Sequence, residues 1–347
     1  MRALVVGYFS TVGDIEVLRQ VERHLRSADI RYDVGAFDLN VSEHMPDAVD
    51  IYRVDPGDYS HLLIVCGPFN SRHLVKVGLD LDRFAHCTRV GVNLTMLQNL
   101  EVYNPLDALV GRDSNLWTVP DISFLEDTAK VPVAGLCLAR NQPEYGARVR
   151  HDVANGHLRR LARRAGLATI ELDTEWPGGH NTTGVGSPEE FEAICGRLDV
   201  MLTTRLHGMA LALKNGVPVV ALDAIAGGGK VGRQAQAIGW TDLLTIDDVS
   251  DDALDASLAR CLQPDAGDRA RSCADAARAA LRSLPDDLAT ALDAAPQGLP
   301  SGTRMPGWLR VARHLNPRRA ARDALRRRRW AARRRTAGTR SLTPSAP

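Results

Sequence analysis

Apolar and polar residues alternate along this chain in blocks, with short unbroken apolar runs followed by longer stretches of helical period. Residues 2–7 (RALVVG), 61–66 (HLLIVC) and 133–138 (VAGLCL) offer no polar face, which is the pattern of strands covered on both sides. Between them, stretches such as 15–27 and 152–165 repeat apolar positions at helical spacing. Strands alternating with helices predict an α/β fold, a parallel sheet with helices on both faces. The pattern divides into two Rossmann-like domains. The first spans residues 1–125, with strands near 2–7, 61–66 and 89–94 and helices near 15–27 and 72–86. A polar connector covers 126–131. The second spans 132–284, with a strand at 133–138, a helix near 152–165, a strand near 168–172 and a helix near 250–262. Residues 285–303, rich in Pro, Gly, Ala and Asp, read as a linker, and 304–347 as an Arg-rich tail.

The most informative local pattern lies in the second domain. The apolar run 198–202 (LDVML) leads into Thr203-Thr204-Arg205-Leu206-His207-Gly208-Met209, and a helical stretch then stops at Asn215-Gly216. This is strand, turn and helix, with Arg205 and His207 at the helix start. Leu206, Met209, Ala210 and Leu213 follow the i, i+3, i+4, i+7 spacing of a core-facing stripe, and residues 217–222 (VPVVAL) read as the returning strand. The first turn of a helix carries N–H groups without intrahelical acceptors and the positive end of the macrodipole. An Arg and a His there form a small receptor for phosphate or carboxylate. The competing reading keeps both side chains on neighbouring backbone or a local carboxylate.

The string TTRLHGMALALKNGVPVVALD with AIAGGGKVGRQAQAIGW resembles the C-terminal half of the polysaccharide pyruvyl transferase family. Further elements follow in that family's order over roughly residues 1–245: the glycine loop from Gly7 to Asp14, Gly111-Arg112-Asp113-Ser114, Val119-Pro120-Asp121-Ile122-Ser123-Phe124, and a strand ending in Arg140. The crowded run Gly227-Gly228-Gly229-Lys230 departs from that pattern. The resemblance implies a GT-B-like arrangement, two Rossmann-like domains facing across a cleft, with the acceptor on the N-terminal side and the donor on the C-terminal side. It implies phosphoenolpyruvate as donor, a sugar of a cell-surface polysaccharide or its precursor as acceptor, lipid-linked or not, and a pyruvate ketal as product, with no cofactor and no metal.

On this reading Arg205 and Arg140 divide the phosphate and carboxylate of the donor, since guanidinium forks match both geometries. Leu206 and Gly208 complete the substrate-binding turn, and the glycine loop with Lys230 and Arg233 either holds a phosphate of donor or acceptor or is a flexible turn. His207 is the general acid, because imidazole titrates near neutrality and a bound phosphate favours its charged form. Asp14 is the base on the acceptor hydroxyl, or else a helix N-cap before Ile15. A Walker A loop is excluded, since Ala224 and Val231 stand where it needs Gly and Ser or Thr. The alternative activity is a sugar-nucleotide-dependent glycosyltransferase on the same scaffold.

Charge adds a second object to the picture. The net charge of +1 conceals 14 Arg and one acid, Asp323, from residue 304 onward, so the tail carries +13. Residues 1–303 hold 29 basic against 41 acidic residues, net −12. A basic block of this kind suits nucleic acid or an anionic membrane. Trp308 and Trp330, with Leu309, Val311, Leu315 and Leu325, favour the lipid surface, and no nucleic acid is expected. An arginine-rich tail without a dedicated partner is the competing reading. The six cysteines lack disulfide or zinc spacing, no apolar run approaches the roughly 20 residues of a membrane span, and the start is a poor signal peptide, so a cytoplasmic location is expected.

Overall fold

The computed structural model describes residues 1–37, 45, 47–140, 142–176 and 181–294, so the Arg-rich tail lies outside the described residues. The chain divides into two compact units, one of residues 1–133 with 166–168, the other of residues 134–165 with the chain from 169 onward. Each is a parallel α/β sheet of five strands.

The first unit runs β1 (Arg2–Gly7), α1 (Val12–Ser27), β2 (Arg31–Ala36), β3 (His61–Val65), β4 (Pro68–Phe69), α2 (Ser71–Val77), β5 (Thr88–Val92), β6 (Thr95–Met96) and β7 (Ala108–Val110). The sheet order is β2-β1-β3-β5-β7, all parallel, and β4 pairs with β6 alone. Alternation along β1 explains its unbroken apolar run. Leu4 and Val6 enter one core with Leu62, Ile64, Phe69 and Phe84, while Ala3 and Val5 enter the other with Val17, Leu18, Val21 and Leu25 of α1. Each such aliphatic side chain contributes about 1.5–3 kcal/mol when fully buried. The helix expected over 72–86 is shorter, because Gly78 takes a left-handed φ of 65° and caps α2 after Val77; a 3-10 turn follows at Leu81–Phe84.

The second unit runs β8 (Val133–Cys137), α3 (His151–Arg164), β9 (Ala168–Leu172), α4 (Pro188–Cys195), β10 (Val200–Thr203), α5 (Leu206–Lys214), β11 (Val219–Asp223), α6 (Lys230–Ile238), β12 (Leu243–Thr245), α7 (Asp251–Cys261), α8 (Ala266–Ala280) and α9 (Leu284–Leu292). The linker expected from 285 is thus helical over its first residues: Pro285 sits in the first turn, where its missing N–H costs nothing. The sheet order is β12-β11-β10-β8-β9. From β8 the chain first moves outward to β9, then returns to build β10, β11 and β12 on the other side. That reversal opens a crevice beyond the carboxyl ends of β8 and β10, the place where open α/β sheets bind ligands. Among the described residues no helix is long and apolar enough to cross a membrane.

Candidate functional site

The turn between β10 and α5 is held from below by two threonines. Thr203 Oγ1 donates to Cys137 O at 2.6 Å and accepts from Arg205 N at 2.9 Å, fixing Arg205 as the N-cap of α5. Thr204 Oγ1 accepts from Ala139 N and donates to Asn155 Oδ1, at 2.8 and 2.9 Å, and Asn155 returns a bond to Ala139 O. The ends of β8 and β10 and the body of α3 are thereby joined at the crevice. Because Arg205 has no capping oxygen on its side chain, the first amides of α5 remain uncapped by it.

Arg205 itself is already engaged. Its terminal nitrogen lies 3.1 Å from Asp173 Oδ1 and 2.9 Å from Glu175 Oε1, and its Nε donates to Leu138 O at 3.1 Å. The guanidinium is 13% exposed, Asp173 8% and Glu175 41%. In the ligand-free protein Arg205 thus follows the competing reading, held by backbone and by two carboxylates that follow β9. Asp173 is the buried anchor, and Glu175 is the half-exposed partner.

His207 is exposed and lines two adjoining cavities. One, of about 160 Å³, is bounded by Gln142, Thr174, Arg205, Leu206, His207 and Lys230. The other, of about 170 Å³, is largely apolar and includes Asp173, Glu175, Trp176, Phe191 and Leu211 with His207. Leu206 is half-buried in the first wall. Gly208 has a different role from the one expected. It is buried, and a Cβ there would collide with Thr203 Oγ1 and stand 2.9 Å from Cys137 Sγ, so the glycine lets α5 approach β8 and β10, and only its backbone N–H in the first turn is left for a ligand. Cys137 is an inert thiol, pushed up to about 12 by burial. Arg140 is exposed at the end of β8 and has no ion pair among the described residues. Lys230 opens α6 and lies 4.0 Å from Glu144.

The glycine loop before α6 already contains an anion of its own. Asp223, 1% exposed, accepts from Ile225 N, Gly229 N and Gly232 N at 3.1, 2.7 and 2.8 Å. A Cβ on Gly229 or Gly232 would reach 3.0 or 2.9 Å from the Asp223 carboxylate. These glycines make room for a buried side chain at the helix N-terminus, so the amides of Gly229 and Gly232 are already engaged by Asp223. Lys230 remains beside the cavity by its side chain alone.

Asp14 belongs to the first unit, the six residues above to the second. It is not the N-cap but the third residue of α1, where Oδ2 accepts from Thr11 N at 3.0 Å in a reciprocal capping box. It also acts on Cys66, whose thiol is pushed up to about 12 first by burial and then by Asp14. Phe9, Cys66 and Asn93, after β1, β3 and β5, all take left-handed φ, at 44°, 63° and 54°. Asn93 donates to Asp121 at 3.0 Å, and Arg112 reaches the same oxygen at 2.7 Å. Burial works against ionisation of Asp121, but Arg112, Ser123 N–H and Asn93 together hold its carboxyl well below the usual range. The Arg-Asp and Pro-Asp elements of the sequence are thus one network.

Sequence reasoning missed Asp173, Glu175, Gln142, Thr174 and Trp176. The run Asp173-Thr174-Glu175-Trp176 directly after a strand was the available signal, because residues at the carboxyl ends of parallel strands line the crevice.

No curated protein matches the chain in sequence. Among solved structures, similarity extends to a spinosyn rhamnosyltransferase complexed with thymidine diphosphate, at 11% identity and a TM-score of 0.32, covering 82% of this chain and 100% of that one. The ADP-heptose lipopolysaccharide heptosyltransferase II of E. coli aligns at 15% identity and a TM-score of 0.25, covering 76% and 98%. A UDP-N-acetylglucosamine 2-epimerase from Listeria monocytogenes aligns at 13% identity and a TM-score of 0.28, covering 84% and 98%. Residues 140–224, which hold α3, the Asp173–Glu175 wall, the Arg205–Gly208 turn and β11, match the model of the polysaccharide pyruvyl transferase family.

Proposed function

We propose that the protein is a transferase that moves the pyruvyl group of phosphoenolpyruvate onto two hydroxyls of a saccharide, forming a ketal and releasing phosphate. The observation that carries this reading is the meeting of Arg205, His207 and Lys230 on one small cavity at the topological switch point, inside the segment that matches the family model. That cavity, of about 160 Å³, opens beside the apolar one of about 170 Å³, and together they reach only the lower end of the roughly 300–1,000 Å³ of sites for drug-sized ligands. It suits a small dianionic donor better than a sugar nucleotide.

In this mechanism His207 delivers a proton to the CH₂ carbon of the donor, which becomes the methyl group. A first sugar hydroxyl attacks the adjacent carbon and loses its proton. The C–O bond to phosphate then breaks, and a second hydroxyl closes the ketal while its proton leaves with phosphate. Arg205, Arg140 and Lys230 supply the positive charge, and an anionic group of the donor takes the place of Glu175 on Arg205. Asp14, as the base for the acceptor, takes the first hydroxyl's proton and gives it up to solvent, from which His207 is recharged for the next turnover. The tail from residue 304, at +13 with two Trp, holds the enzyme at an anionic membrane surface.

Thermal denaturation of the full chain with different ligands tests the donor assignment. Phosphoenolpyruvate should raise the melting temperature and UDP- or GDP-sugars should not. The opposite pattern would establish a sugar-nucleotide-dependent glycosyltransferase instead. His207→Ala should keep donor binding and lose turnover, whereas Arg205→Ala should weaken binding.

A further inference from the structure

The three central helices of the second unit that begin at the crevice share one feature. The N-caps of α3, α5 and α6 are Arg150, Arg205 and Gly229, and none supplies a side-chain cap, whereas Ser187 and Ser250 cap α4 and α7. Arg205 is held by Asp173 and Glu175, and the α6 terminus by Asp223, as described above. The start of α3 carries Asp152 in its first turn but no side-chain cap. The chain enters α3 by antiparallel pairing of Val149 with Ile225 and a 2.9 Å bond from Arg150 N to Ala224 O, which brings its first residue, His151, beside the end of β11.

His151 is 3% exposed, and its Nδ1 has no hydrogen-bond partner among the described residues. A buried polar atom left in that state is destabilising until a partner reaches it. The ring borders a cavity of about 410 Å³ lined by Val149, Arg150, His151, Asp152 and Val153. The first-turn N–H groups of α3, a 14-residue helix, open at the same place. The charges acting on the ring come from three further elements: Arg205 at α5, Asp223 at β11 and Lys230 at α6, together with Asp152 on its own helix. Burial first, then Arg205 and Lys230, lower the basicity of His151, while Asp152 and Asp223 oppose them. The ring is therefore a neutral imidazole in the ligand-free site, able to carry its single N–H on Nδ1.

We propose that His151 and the first turn of α3 receive the phosphoryl group of the donor, with Nδ1 of His151 donating to a phosphate oxygen. This rests on the pyruvyl transfer reading and refines it: the phosphate lies at α3, and Arg205, Arg140 and Lys230 take the carboxylate. It gives the one orphaned imidazole of the crevice a partner. It also leaves Arg205, already paired with both Asp173 and Glu175, to meet one carboxylate rather than a dianion.

Calorimetric titration of the full-length protein with phosphoenolpyruvate and, separately, inorganic phosphate tests the assignment, using wild type, His151→Leu, His151→Asn and His151→Gln. The Asn amide places a donor where Nδ1 stood; the Gln amide places it near Nε2. His151→Leu and His151→Gln should bind both ligands at least about tenfold more weakly and His151→Asn within about threefold of wild type, all with ligand-free melting temperatures that show folded protein. Unchanged binding in His151→Leu would overturn the inference and leave pyruvyl transfer standing. Equal losses in folded His151→Asn and His151→Leu would overturn the Nδ1 contact. Binding of phosphate but not phosphoenolpyruvate, lost in His151→Leu, would support the phosphoryl site while sinking the donor reading, and wild type that binds neither ligand would sink both.

Discussion

Glu175→Gln should tighten phosphoenolpyruvate binding. In the ligand-free protein Glu175 Oε1 lies 2.9 Å from the Arg205 guanidinium, and its side chain is 41% exposed, against 8% for Asp173. An anionic ligand that reaches Arg205 must displace the more exposed carboxylate. Partly exposed pairs of this kind are worth at most about 1 kcal/mol. Glutamine keeps the size and loses the charge, so that cost of displacement falls away, and the donor dissociation constant should drop by about fivefold, given that 1.4 kcal/mol corresponds to a factor of ten. Calorimetry at low and high salt measures it, and the gain should shrink with salt as the lost repulsion is screened. Asp173→Asn is the contrasting variant: it removes the buried anchor of Arg205 and should lower the melting temperature instead, since breaking a buried pair costs about 3–5 kcal/mol. If Glu175→Gln binds the donor equally or more weakly, Glu175 does not occupy the ligand's place and the displacement argument fails.

Other consequences are open to measurement. Asp223→Asn replaces a carboxylate that accepts three backbone N–H bonds with an amide that must point a donor at one of them. A loss of about 2–3 kcal/mol is expected, read as a lower denaturant midpoint, and an unchanged midpoint would refute the nest. Gly208→Ala should cost about 1–3 kcal/mol through overpacking against Thr203 Oγ1 and Cys137, and a fully stable variant would mean that α5 can move away. Asp121 is held below its ordinary range in the folded state, so its stabilisation is complete above the unfolded carboxylate value near 4 and is lost as pH falls through the folded one. The melting-temperature gap between wild type and Asp121→Asn should therefore be widest above about pH 5 and close in acid. A gap independent of pH would contradict that. Removal of residues 304–347 should abolish co-sedimentation with anionic vesicles without changing donor affinity; equal sedimentation of the truncated protein would dismiss the membrane role.

Much of the architecture was legible in the order of residues. Continuous apolar runs such as Leu4–Val6 can be satisfied only by strands covered on both faces, and β1 does send alternate residues into two cores. The Thr203–Gly208 string carries its own strand end, turn and helix start, and Arg205 is the N-cap of α5 as the pattern implies. These features depend on neighbours within a few positions, which is the range that periodicity and capping describe. The partners of the charged groups depend on strand order instead. The order β10-β8-β9 brings Asp173 and Glu175 to Arg205 from 30 or more residues away, and pairing of Val149 with Ile225 sets His151 beside Asp223. The glycines before α6 looked like a ligand loop until Asp223, six residues before Gly229, was seen to fill it. Local pattern encodes which element a residue joins, but the charge it meets is set by which strands become neighbours, because Coulomb and hydrogen-bond energies depend on distance in space rather than along the chain.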